Sequence, residues 1–155
     1  MKIIQHKAYE EDLEVLSNTS MVFKYRGFTG IIRRSSNLGT LCGYVSVPKR
    51  HPLYGLGYDT IESLYRIYSH GGLTFSSDSL MGLEKGWYIG FDCAHASDYI
   101  PEMDYNSSVE YLIYRDVDYV KEVISQLIDQ MIEISEDDYA DEYITEGEDF
   151  YGDND

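Results

Sequence analysis

Apolar and polar residues alternate most regularly in "GTLCGYVSVP", residues 39–48. The odd positions from 41 to 47 hold Leu, Gly, Val and Val, and the even positions between them hold Cys, Tyr and Ser. A period of two predicts a β-strand with one buried face, and Pro48 marks its end.

A different period begins after Asp116. Apolar residues recur there at steps of three and four, and acidic residues occupy the other side, a pattern typical of an amphipathic helix of about five turns. The apolar positions are Val117, Val120, Ile124, Leu127, Ile128, Met131 and Ile134, and the acidic ones are Asp118, Glu122, Asp129 and Glu133.

Shorter patterns predict the remaining elements. "MVFKYRGFTGIIRR" (21–34) reads as two strands that meet at Arg26 and Gly27, and "HGGLTFSS" (70–77) and "GWYIGFDCA" (86–94) read as further strands. "AYEEDLEVL" (8–16) predicts a short helix, and Asp59 can cap either a short helix or an extended segment that continues to Tyr68. "VEYLIYR" (109–115) is either a last short strand or the lead into the long helix.

These elements predict an α+β fold, in which an antiparallel or mixed sheet is covered by a long C-terminal amphipathic helix. A chain of 155 residues suits one domain. We assign residues 1–134 to a single α+β domain and residues 135–155 to an acidic tail that we expect to be flexible.

Charge narrows the possible partners. The chain has 28 acidic and 12 basic residues, a formal charge of −16, and ten of the acidic residues lie from Ser135 to Asp155, where no Lys or Arg occurs. Such a chain repels phosphate backbones, so we expect no direct nucleic-acid binding and a basic protein surface as the partner.

No run approaches the roughly 20 apolar residues that a membrane-spanning helix needs. "MKIIQHKAYEEDLEVL" places acidic residues where a signal peptide has its apolar run. We therefore expect no membrane association and a cytoplasmic location, where Cys42 and Cys93 would be free thiols or metal ligands rather than a disulfide.

The candidate metal-binding residues lie where predicted strands meet loops. His51, His70 and His95 each occupy such a position, and Asp92 and Cys93 come just before His95. Imidazole, carboxylate and thiolate are zinc ligands, so these five residues could fill four positions around one ion. Asp92 and Cys93 compete for the fourth position, because adjacent side chains on a strand face opposite ways. The spacing alone is not diagnostic, and a buried histidine or a turn carboxylate is the simpler reading of each residue.

Three ordered blocks carry a resemblance to a known group. The runs "GYVSVPKRHPLYGLGYD", "HGGLTFSS" and "GWYIGFDCAHASDYIP", followed by "YRDVDYVKEVISQLIDQM", resemble a family of small proteins of phages and mobile elements. The resemblance extends from about Gly43 to Met131. It implies that His51, His70, Asp92, His95 and Asp98 are recurring polar positions, with Cys93 at a less strict one.

Within that setting the chain is similar to zinc-containing type II-A anti-CRISPR proteins, which inhibit Cas9. The resemblance favours a bound zinc ion, and a full set of four protein ligands would make the zinc structural. Asp98 is then better placed to orient a ring nitrogen than to bind the metal. We expect no catalytic residue, because no nucleophile motif or phosphate-binding loop is present.

The acidic tail supplies a candidate contact surface. Aromatic residues between carboxylates suit a basic, partly apolar groove such as the nucleic-acid channel of a Cas9-type effector. The predicted partner-binding residues are Glu136, Asp137, Asp138, Tyr139, Asp141, Glu142 and Tyr143. The leading hypothesis is an inhibitor that blocks DNA loading. The alternatives are a metal-dependent phage hydrolase acting on a small or nucleotide substrate, and a scaffolding module that self-associates through its tyrosines.

Overall fold

The computed structural model describes residues 2–16, 20–103, 105 and 110–146, with side chains described only between residues 7 and 136. Within them the chain forms three helices and five strands. In chain order these are α1 (Lys2–Val15), β1 (Met21–Tyr25), β2 (Phe28–Arg34), β3 (Leu41–Ser46), α2 (Tyr58–Tyr65), β4 (Phe75–Ser77), β5 (Tyr88–Asp92) and α3 (Val117–Glu146).

The predicted α+β fold is confirmed. The five strands form one sheet in the order β1-β2-β3-β5-β4, and every neighbouring pair is antiparallel. The alternation in β3 has the expected meaning, because Leu41, Gly43 and Val45 are buried while the residues between them are partly exposed. The described residues of "VEYLIYR", 110–115, form no strand, and Ile113 makes an isolated parallel bridge to Asp98.

Helix α3 covers one face of the sheet with the apolar stripe that its period predicts. Val120, Ile124, Leu127, Ile128 and Met131 are fully buried in the main core. The helix approaches the sheet closely at Ile124, whose side chain fits where Gly30 and Gly43 have no Cβ. A Cβ on Gly30 would lie 2.8 Å from Cγ2 of Ile124, and one on Gly43 would lie 3.1 Å from its Cδ1.

The start of α3 is capped from two directions. Asp116 accepts a hydrogen bond from the backbone N–H of Tyr119, the usual geometry of an N-terminal cap, and Asp12 of α1 accepts one from the N–H of Val117. Asp12 also accepts a hydrogen bond from the Tyr114 hydroxyl. Burial raises the pKa of Asp12, although these two hydrogen bonds act to lower it.

Two helix ends differ from the sequence prediction. Gly57 rather than Asp59 occupies the N-terminal cap of α2, and α2 ends at Tyr65 with Arg66 in the left-handed conformation at φ 52°, short of the predicted Tyr68. Helix α3 continues beyond Ile134 to Glu146 and so includes the first part of the segment assigned to the tail. Residues 147–155 lie outside the described residues, so flexibility of the tail stays a prediction. None of the described helices is long and apolar enough to cross a membrane.

Candidate functional site

A buried carboxylate, that of Asp98, lies just after the end of β5. Asp98 follows a turn after β5, closed by a hydrogen bond from its own N–H to the carbonyl of His95. The bridge to Ile113 fixes the same segment, since the N–H of Tyr99 donates to the carbonyl of Ile113 over 2.8 Å. The Asp98 carboxylate is thereby held inside the protein, with a side chain that is 0% exposed.

Three donors surround this carboxylate. Nε of Arg115 lies 2.8 Å from Oδ1, Nε2 of His70 lies 2.8 Å from Oδ2, and the backbone N–H of His95 donates to Oδ2 over 3.0 Å. Burial acts to raise the pKa of Asp98, but the hydrogen bonds from these three residues outweigh it and lower the pKa below its usual value. Asp98 is therefore a buried ion whose charge is neutralised locally.

The hydrogen bonds of Asp98 fix the tautomer of His70. A carboxylate only accepts, so Nε2 of His70 is the donor in that contact. When the ring is neutral its Nδ1 is an acceptor, and the Tyr119 hydroxyl lies 2.7 Å away and donates to it. Tyr119, His70 and Asp98 thus form a continuous chain of hydrogen bonds. The guanidinium of Arg115 lies over the Tyr119 ring, 4.9 Å from its centroid.

His95 is the more exposed histidine of the cluster. Its ring centroid lies 5.7 Å from that of His70, and its Nε2 lies 3.2 Å from Oδ1 of Asp92. Gly71 makes room for this ring, because a Cβ there would lie 2.5 Å from Cδ2 of His95. Gly71 also has a φ of +72°, which only glycine adopts readily.

The structure brings together some of the predicted metal ligands and separates others. His70, His95 and Asp92 lie at the same end of the sheet. His51 makes its contacts elsewhere, where Nδ1 accepts from the N–H of Leu53 and Nε2 lies 2.7 Å from the carbonyl oxygen of Met131. Both ring nitrogens of His51 are therefore engaged, and they tie the loop after β3 to α3.

Asp92 and Cys93 face opposite ways, as the geometry of a strand requires. Cys93 is 2% exposed and belongs to the main core. Burial raises the pKa of its thiol strongly, so the thiolate that a metal needs is disfavoured. Asp92 accepts hydrogen bonds from Oγ1 of Thr74 and from the N–H of Ala94. Cys42 and Cys93 are both free.

No metal-ligand set is assembled among the described residues, where no group of three or more His, Cys, Asp or Glu side chains could hold an ion. Both nitrogens of His70 and of His51 are occupied by protein partners, so these rings do not fit a zinc site as they are arranged. Zinc stays a prediction. Asp98 was predicted to orient a ring nitrogen of a histidine, and its carboxylate does accept a hydrogen bond from Nε2 of His70.

Removal of metal tests whether a bound zinc ion stabilises the fold. Because the imidazoles are held by hydrogen bonds within the protein, we expect dialysis against a chelator to leave the midpoint of thermal unfolding unchanged. A structural zinc would contribute to the free energy of folding, so its loss would lower the midpoint. A clear fall on chelation, reversed by added Zn²⁺, would show that the ligands rearrange around a metal.

The pH dependence of stability tests the charge on Asp98. A carboxyl whose pKa is lowered on folding stabilises the protein above its unfolded pKa of about 4, and this contribution is lost as the pH falls through the folded value. We expect the difference in unfolding free energy between wild type and Asp98→Asn to shrink as the pH falls below about 4. Asp78→Asn, at an exposed carboxylate paired with Lys85, is the control. A difference that does not change as the pH falls below about 4 would contradict the ionised form.

Arg115 and Tyr119 are members of this cluster that the sequence did not reveal. The available signal was local, since "YRDVDY" places an arginine and a tyrosine on either side of the helix cap at Asp116.

Of the predicted partner-binding residues, Glu136 is exposed on α3. The side chains of Asp137, Asp138, Tyr139, Asp141, Glu142 and Tyr143 lie outside the described residues.

The chain matches no family model, and comparisons with curated proteins and with solved structures gave no significant match either.

Proposed function

We propose that the protein is a binding protein, not an enzyme, that presents an acidic helix face to a basic surface of another protein. The observation that carries the proposal is a row of carboxylates along α3, which we call the acidic stripe. It consists of Asp118, Glu122, Asp129, Glu133 and Glu136.

The acidic stripe follows the helix axis. Its members are separated by four, seven, four and three residues, spacings that place them on one face of an α-helix. This face is opposite to the buried apolar stripe, and all of its members are exposed except Asp129, which is half-buried. A partner surface could therefore reach the whole row without any change in the fold.

Little of this charge is neutralised within the chain. Asp129 forms a salt bridge with Arg26 at 2.9 Å, and in the described part of the chain the other four carboxylates form none. Lys121 lies between members of the stripe in sequence, but its Nζ lies over the Phe23 ring, 5.2 Å from the centroid. The acids that follow in the sequence, ten from Ser135 to Asp155, would extend the negative charge further.

The resemblance to phage proteins supplies the partner class. A Cas9-type effector holds its guide heteroduplex and the displaced DNA strand in channels rich in Lys and Arg. An acidic protein that occupied such a channel would compete with DNA for the same cations and would block DNA loading. The host cytoplasm is where this effector acts, which accords with the expected location.

The polar cluster around Asp98 favours this proposal over the hydrolase alternative. Its carboxylate is enclosed and accepts hydrogen bonds from Arg115, His70 and His95, an arrangement that holds loops together. The Tyr119 hydroxyl is no ready nucleophile either, since burial raises its pKa, with the nearby Arg115 acting to lower it.

Paired charge substitutions test the stripe. We expect Glu122→Gln with Glu133→Gln to weaken binding to a Cas9-type effector by about tenfold or more, because charged contacts across an interface contribute to both encounter and affinity. The matched control is Asp78→Asn with Glu84→Gln, which removes two exposed charges from the loop between β4 and β5. Affinity is measured with purified full-length protein at low salt. Equal losses for the two double variants would show that net charge, not the stripe, governs binding.

A further inference from the structure

A cavity on the side of the sheet opposite to α3 is lined by two arginines, although the protein is acidic overall. It has a volume of about 500 Å³ and lies at the end of β2, between α1, the loop 35–39 and the loop after β4. Its lining includes Arg33, Arg34, Cys42, Tyr44 and Glu102. Cavities of roughly 300–1,000 Å³ are typical of small-molecule sites.

The cavity is separated from the acidic stripe by the sheet. Ile31 and Tyr44 pack with Leu80 and Tyr88 in a small cluster distinct from the core under α3. Arg33 and Cys42, which alternate with the residues facing α3, share the side of Tyr44. Long-range repulsion of an anion by the stripe is screened beyond about 8–10 Å at physiological salt.

Both guanidinium groups are held in place by neutral acceptors. Nε of Arg33 donates to Oγ of Ser20, and its Nη2 donates to the carbonyl of Met81. Arg34 donates from Nε to the carbonyl of Leu16 and from Nη1 to that of Gly39. Neither arginine forms a direct salt bridge within the described ranges. Nη1 of Arg34 also donates to the Tyr114 hydroxyl, which donates in turn to the carboxylate of Asp12, so Arg33 is the arginine whose charge is fixed in position without a nearby acidic partner in these contacts.

Arg34 has a donor to spare. Its Nη2 is buried and has no hydrogen-bond partner among the described residues. Buried donors are nearly always satisfied by protein, water or ligand, so this nitrogen is an exception among the described residues. Arg33 likewise uses only two of its five N–H donors in these contacts.

We propose that this cavity binds a small organic phosphate of about mononucleotide size. The forked donors of arginine suit the oxygens of a phosphate, and Ser35 and Ser36 also line the cavity. The volume exceeds that of inorganic phosphate. Tyr9 and Tyr44 offer aromatic surface for an organic ring, and the carboxylate of Glu102, which accepts from the Tyr9 hydroxyl, sets an acceptor beside it.

The test is equilibrium binding of the full chain to AMP, adenosine and inorganic phosphate. We expect saturable AMP binding with a dissociation constant of about 1 mM or tighter, and binding of adenosine and of inorganic phosphate at least about tenfold weaker. Arg33→Gln should weaken AMP binding by about tenfold or more, because a charge-assisted contact is lost. Arg26→Gln, at an exposed arginine paired with Asp129 near α3, is the matched control and should change nothing. Arg33 is preferred to Arg34, whose loss would free two backbone segments.

A second readout needs no variant. Cys42 lines the cavity and is partly exposed, whereas Cys93 is buried in the core. Saturating AMP should slow alkylation of Cys42 in the native protein and leave Cys93 unaffected. The proposal is overturned if AMP does not bind saturably, if adenosine or phosphate binds as well as AMP, if Arg33→Gln binds like wild type, or if Cys42 is not protected.

Discussion

Replacement of Asp98 by Ala should lower the free energy of unfolding by about 3–5 kcal/mol, the usual cost of removing one partner from a buried ion pair. The carboxylate is enclosed, and its loss would leave Arg115, His70 and the N–H of His95 without their acceptor. The segments after β5, before β4 and before α3 would lose their common contact. Urea unfolding followed by tryptophan fluorescence gives the value.

Two controls accompany this substitution. Asp98→Asn keeps the shape but removes the charge, and we expect it to be destabilised too. Asp78→Ala removes an exposed carboxylate from its pair with Lys85, and we expect a change within about 1 kcal/mol, as for surface ion pairs. If Asp98→Ala behaves like Asp78→Ala, the cluster does not hold these segments together.

Replacement of Ile124 by Ala should lower the free energy of unfolding by about 2–5 kcal/mol, because a cavity would remain in the core. Ile124 is fully buried, and its contacts with Gly30 and Gly43 set the distance between α3 and the sheet. Glycine backbones cannot move in to fill the space. Glu122→Ala on the exposed side of the same helix is the control, with an expected change within about 0.5 kcal/mol. Similar losses for the two variants would contradict the packing described here.

The fold could be predicted from the sequence because its two main patterns are strong. The alternation through β3 and the helical period of α3 both indicate which side chains face the core. Burial of those side chains stabilises the two elements, so the sequence pattern predicts them. Ends of elements are less predictable, since they depend on local contacts. Gly57 caps α2 although Asp59 is the better cap by residue type, and α3 continues through acids that the sequence assigned to a tail.

The polar cluster was only partly predictable. Strand-end positions correctly indicated that His70, His95 and Asp92 lie near one another. The same argument could not exclude His51, because only the folded structure shows that Leu53 and Met131 occupy its ring nitrogens. Arg115 completes the cluster from a segment whose path is set by the bridge between Asp98 and Ile113, a contact that no sequence period records.

The acidic stripe was visible in the sequence as the polar side of a helical period. The sequence could not show whether these carboxylates form salt bridges with basic side chains of the same chain. Four of its five members have no salt bridge in the part of the chain described, whereas Arg26 reaches Asp129 from the turn between β1 and β2. Because most of these carboxylates are not paired within the described chain, the acidic stripe is a candidate interface for a basic partner.

The most direct test of the proposed function is the affinity of the full chain for a guide-loaded Cas9-type effector at two ionic strengths, with DNA binding by the effector measured on the same samples. We predict tight binding and inhibition of DNA loading at about 0.05 M salt, and marked loss of both at about 0.5 M, since salt screens exposed charges. Absence of binding at low salt, or binding that does not change with salt, would contradict an interface held by the acidic stripe.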